Sequence, residues 1–126
     1  MPWKIEILDE PKAVSARLEG PMRLVMVKEV AAAAIRAAAE HRLDKYYADE
    51  RELQPQPQLS TMEIHGLPDA LGAMGLGRHD KVAILYTESS PKAIDFRFFE
   101  TRAQNRGYSV QLFTEPEKAL RWLRGE

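Results

Sequence analysis

Two runs near the start of the chain alternate apolar and polar residues with a period of two. In WKIEIL (3–8), Trp3, Ile5 and Ile7 alternate with Lys4 and Glu6; in VSARLE (14–19), Val14, Ala16 and Leu18 alternate with Ser15, Arg17 and Glu19. That period predicts two strands with one wet face each. Asp9, Glu10 and Pro11 lie between them and predict a turn, so the pair reads as an antiparallel hairpin. Gly20 and Pro21 end the pattern. The stretch MRLVMVKEVAAAAIRAAAEHR (22–42) then predicts the longest helix, its alanines keeping the cost of helix formation low. Lys28, Glu29, Arg36 and Glu40 leave a broad apolar surface of Val27, Val30, Ala31, Ala34 and Ala38. Side chains this small are expected to let the helix lie close against a sheet.

KYYAD predicts a strand ending at Asp49, and RELQPQPQL (51–59) an extended surface loop within the domain. Ser60, Thr61, Met62 and Glu63 spell a capping box that starts a helix, Gly66 and Pro68 interrupt it, and PDALGAMG restarts it up to a cap at Gly75. VAILY (82–86) is apolar at nearly every position, which predicts a central strand buried on both faces. Ser90 and Pro91 open the helix IDFRFFETRAQNR, closed by Gly107, with Arg102 and Arg106 placed to serve its C-terminus. YSVQLF is the fifth strand. Thr114 to Glu117 predict a second capping box before a last helix, in which Ala119, Leu120 and Leu123 share a stripe with Trp122 at its margin.

These elements predict one α/β domain over residues 1–126: a mixed, mostly parallel five-stranded sheet with VAILY internal, WKIEIL antiparallel, and about four helices. Successive right-handed crossovers in one direction put their helices on a single face, so the opposite face needs another cover. Some other segment of the chain, such as the loop before Ser60, or a second copy of the chain is expected to supply it. Trp3 and Trp122, both near the termini, favour the homodimer.

Composition narrows the function classes. With 44% hydrophobic and 29% charged residues and a net charge of -1, the chain belongs with ordinary globular domains. Eighteen Lys and Arg against nineteen Asp and Glu give no basic excess for nucleic acid. RGYSVQLF (106–113) resembles the RNA-binding octapeptide at Arg106, Gly107, Tyr108 and Phe113, but its fifth position is Val110, where that motif stacks an aromatic on a base. The element order also differs from β-α-β-β-α-β. Cysteine is absent, which excludes disulfides and thiolate chemistry. The acidic start MPWKIEILDE does not read as a signal peptide, and no run approaches the ~20 apolar residues of a membrane span. A cytoplasmic location is the expectation.

His41, His65 and His79 are dispersed, without metal-ligand spacing, and the G-x-S-x-G, G-x-x-x-x-G-K and G-x-G-x-x-G motifs are missing. Hence no enzymatic activity, metal or cofactor is expected. Asp49, Ser60, Thr61, Thr87, Ser89, Ser90 and Thr114 fall at strand ends and helix starts, where open parallel sheets bind ligands. Three of them, Ser60, Ser90 and Thr114, serve equally as N-caps, each contributing about 1 kcal/mol whatever the protein does. Ile94, Phe96, Phe98 and Phe99 wrap over half of one helix, and with Met62 and Met74 they are core residues or the wall of an apolar pocket. Met62, Met74, Phe96 and Phe99 are the candidates for that wall.

VAILY, the FRFFET helix, NRGYSVQLF, the terminal ALRWL and, upstream, LPDALGAMGL resemble a bacterial family of STAS-like proteins related to the anti-sigma-factor antagonists. The resemblance covers roughly two thirds of the chain. It implies a right-handed superhelix of strand and helix units, discussed alongside the CRAL-TRIO lipid-binding fold, and it implies no catalysis. Antagonists of that family carry a phosphorylatable Ser after a strand, at a helix N-terminus. Ser60 and Thr61 occupy the analogous place, without the Asp-Ser-Ser signature. The resemblance thus implies a regulatory or protein-interaction module whose partner meets the QPQPQ loop, Ser60 and Thr61. The alternative, from the surplus of Phe and Met, is a binder of a small apolar or lipid-like ligand.

Overall fold

Strand and helix alternate along the chain as the hydrophobic pattern predicts. The computed structural model describes residues 2–54, 60–89 and 93–126. Its elements are β1 (Trp3–Asp9), β2 (Lys12–Pro21), α1 (Leu24–His41), β3 (Lys45–Gln54), α2 (Thr61–Met74), β4 (Lys81–Leu85), α3 (Ala93–Asn105), β5 (Ser109–Phe113) and α4 (Pro116–Arg124). The five strands form one sheet in chain order, β1 antiparallel to β2 and the rest parallel.

Helices α1, α2 and α3 cover one face. There Val14, Tyr46, Ile84 and Val110 meet Ala38, Ile64, Phe96 and Ala103 in the main core. The β4 residues Ala83 and Leu85 point the other way and pack on Ala119 and Leu123 of α4. A strand between two helical layers has no wet face, which explains the unbroken apolar run of VAILY. The second face of β4 is therefore covered by another segment of the chain, α4. After β5 no further parallel strand has to be reached, so α4 is free to cross to the opposite side. Trp122 lies 5.7 Å from Phe113, ring to ring. Lys81 donates from Nζ to the Trp122 carbonyl at 2.9 Å and sits 5.0 Å from the centre of its ring. Trp3 packs against the cluster of Ala16, Leu18, Met26 and Val30. Both tryptophans are half-buried within the chain.

Local expectations need further correction. Helix α2 runs unbroken through Pro68, whose fully buried ring offsets the missing backbone bond. The Ser60 capping box is present, with Glu63 N–H donating to Ser60 Oγ at 3.1 Å and Ser60 N–H to the Glu63 carboxylate at 2.8 Å. The second box is not: the N-cap of α4 is Glu115, without a side-chain bond, because Pro116 already presets the first helical turn. Arg102 and Arg106 reach α2 rather than their own helix end. Arg102 Nη2 lies 2.8 Å from His65 Nε2, and Arg106 pairs with Asp69 at 3.4 Å. Strand β3 continues past Asp49 to Gln54, while residues 55–59 of the predicted loop, and Ser90 and Pro91, lie outside the described residues.

The segment 106–113 serves the fold. Gly107 takes a left-handed φ of 89° after α3, and Tyr108 and Val110 are buried. The outer edge of β5 is occupied by α3: Leu112 N–H donates to Glu100 at 2.8 Å, and Gln104 donates to the Val110 carbonyl at 2.8 Å. A Cβ on Gly72 would collide with the Tyr108 hydroxyl, so the contact of α2 with that ring requires glycine. Gly72→Ala is expected to destabilise by about 1–3 kcal/mol despite its better helix propensity. Adding Tyr108→Phe should recover most of that loss, a non-additivity that urea unfolding of the two single variants and the double variant measures.

Candidate functional site

Small side chains on facing elements leave space that larger ones would fill. Ala31 and Ala34 of α1 stand opposite Ala16 of β2 and Ala48 of β3, and between the helix layer and the sheet lies a cavity of about 150 Å³. The alanine face of α1 thus does more than allow close packing: it forms one wall of this space. Val82, Ile84, Leu67, Phe96 and Phe99 complete much of the rest.

Two carboxyls, Glu50 and Asp95, enter this otherwise apolar wall, the first of them beside an irregularity of β3. Arg17 pairs with Asp49 and Glu19 with Glu52, so two steps along β2 match three along β3. The extra residue makes a β-bulge at Glu50 and Arg51, and a bulge re-aims the side chains around it. Before it, Tyr46, Ala48 and Glu50 face the helices. Beyond it Leu53, rather than Glu52, returns to the core. Glu50 is held in the cavity lining by this geometry. Among the described residues no hydrogen bond or ion pair reaches its carboxyl, and no side-chain oxygen or nitrogen is walled in without a partner. Its oxygens are therefore accessible, and Glu50 as a whole is half-buried. Burial, and secondarily the charge of Asp49, push its pKa up to about 8.

Asp49 behaves in the opposite way. Its side chain leaves the other face of β3 and accepts two bonds from the Arg51 guanidinium, at 2.9 and 2.8 Å. Burial works against its charge, yet the hydrogen bonds and charge of Arg51 prevail and hold its pKa below the usual carboxylate value. Adjacent acids on one strand thus have opposed environments.

The sequence candidates separate into places that do not form one site. Phe96 and Phe99 line the cavity, while Met62 is 85% exposed and Met74 lies outside the lining. Ser60 is engaged in its cap, and the side chain of Thr61 and all of Ser90 lie outside the described residues. Thr87 and Ser89 are exposed after β4, at the edge of the sheet that β3 also reaches. Glu50 was not among the candidates. Its signal is its phase, two residues beyond Ala48 and four beyond Tyr46 on a buried face, and it is lost when the strand is ended at Asp49. Among the described residues no cluster of three His, Cys, Asp or Glu could hold a metal ion, and no helix is long and apolar enough to cross a membrane. No protein-family model, curated protein or solved structure matches the chain.

The raised pKa of Glu50 has a defined sign in stability. Between the ordinary carboxyl value near 4.5 and about 8, the folded state binds more protons than the unfolded one. Stability from this group is therefore present at low pH, falls as pH rises through that window, and is level above it. Glu50→Gln should remove the slope, gaining on the wild type by on the order of 4 kcal/mol between pH ~5 and ~9. Urea midpoints across that range measure it, and a pH-independent difference would count against a buried, protonated Glu50.

Proposed function

We propose that the protein is a non-enzymatic, cytosolic binder of a small apolar ligand. The observation that carries this reading is the cavity of about 150 Å³ between α1 and the sheet, lined almost wholly by apolar side chains. An apolar cavity of about this size, made by truncating one core leucine in another protein, stays dry and takes up benzene. The STAS-like ending, through the association of that family with a lipid-binding fold, supports the same reading.

A phosphoswitch at Ser60 has less in its favour. The Glu63 carboxylate already occupies the N-terminus of α2, 2.8 Å from Ser60 N. A phosphate there would meet a negative charge and break the cap that Ser60 Oγ provides.

Native mass spectrometry and thermal unfolding with toluene as probe test the proposal. Toluene should add its mass to the chain and raise Tm, with a stabilisation of about 2.7 kcal/mol at one hundred times its Kd. Ala48→Leu places a larger side chain in the cavity. It should abolish the toluene response while itself stabilising the protein by ~0.5–2 kcal/mol. Absence of any response in the wild type, together with a destabilised Ala48→Leu, would overturn the reading.

A further inference from the structure

We propose that the cavity selects a small hydrophobic amine, its ammonium group held by Glu50 and its apolar body by the alanine-lined space between α1 and β3. The inference rests on the ligand-binding reading and deepens it by naming the ligand class.

Charge placement carries the argument. Among the described residues of the lining, the groups able to carry charge at neutral pH are Glu50 and Asp95, with no Lys, Arg or His beside them. Both acids enter from one end. Glu50 lies past the residues of β3 that pair with β4, and Asp95 lies in the first turn of α3, the helix that follows β4. Ile35, Leu71 and Leu76, from the C-terminal parts of α1 and α2 and just beyond, contribute only apolar surface at the other end. The space therefore has one acidic and one apolar end, and it fits an amphipathic ligand.

The sign of the polar group follows from the same residues. An anionic ligand, such as a fatty acid, would bring a carboxylate to Glu50, which among the described residues has no cation paired with it. A wholly apolar ligand would bury Glu50 further and leave its carboxyl without a partner, which is costly in a low-dielectric site. An ammonium group supplies both the hydrogen-bond donors and the charge that the chain itself withholds from Glu50. Asp95 is already engaged elsewhere in the chain, so Glu50 is the acid that meets the ligand. On binding, the ammonium donates N–H to the Glu50 carboxylate and the proton held by the neutral carboxyl passes to solvent; no other bond forms or breaks.

Isothermal titration of four probes sharing one ring tests this: toluene, benzyl alcohol, benzoate and benzylamine, each against the wild type and Glu50→Gln. Benzylamine should bind the wild type at least about tenfold more tightly than toluene or benzyl alcohol, and benzoate should not bind. Glu50→Gln should bring benzylamine to the level of toluene and leave toluene unchanged. Should that variant fail to fold, the ranking on the wild type still decides. If toluene binds and benzylamine or benzyl alcohol shows no such order, amine selectivity is overturned while the cavity reading stands. If none of the four binds, both readings fail together.

Discussion

The direction of the strand crossovers governs the rest of this structure. Strands β2 to β5 are laid down in sequence order, each parallel to the last, and right-handed crossovers in one direction must put α1, α2 and α3 on the same side. Three helices therefore share one face of the sheet, and the last helix alone escapes that constraint. Its small apolar stripe, Ala119 and Leu123, is enough to bury the second face of β4. Over β1 and β2 the second face carries Lys4, Glu6, Ser15 and Arg17, which can remain in water without a helix. Period-two alternation in the outer strands and continuous hydrophobicity in β4 are two consequences of one topology.

Within the crowded face, side-chain size decides where matter is missing. Close packing would ask Ala31, Ala34 and Ala48 to be larger, or α1 to move inward. Yet Met26 and Val30 tie the start of α1 to Ala16 and Leu18, and a helix held at that end cannot collapse freely onto β3. The bulge acts on the same region. Without it, strict alternation would put Glu52 on the buried face and Leu53 in water; with it, Leu53 returns to the core and Glu50 is the one acid of β3 in the cavity lining.

This contrast also explains what the sequence made legible. Element types, the antiparallel hairpin and the internal position of VAILY follow from periodicity and breakers, which are local properties. The continuity of α2 was hidden because Pro68 is unfavourable locally and is tolerated through burial that only the tertiary structure supplies. Phe96 and Phe99 were candidates for an apolar wall because aromatic residues stand out in composition. The other wall is made of alanines, and their lack of bulk says nothing until a facing element is known. Glu50 was missed because the strand was ended one residue before it, at Asp49; that Leu53 rather than Glu52 follows it inward depends on a bulge, which is defined by register between strands and is not written in either strand alone.

Two unfavourable features coincide in one place. At about 24 cal/mol per Å³, a void of this size costs on the order of 3 kcal/mol relative to a filled core. A carboxyl without a partner adds the work of holding its proton at neutral pH. Either feature alone could be removed by one substitution, leucine for Ala48 or glutamine for Glu50, with no change to the topology. On the proposed reading, a ligand with an apolar body and a cationic tip would relieve both at once, filling the void and pairing the acid beside the bulge of β3.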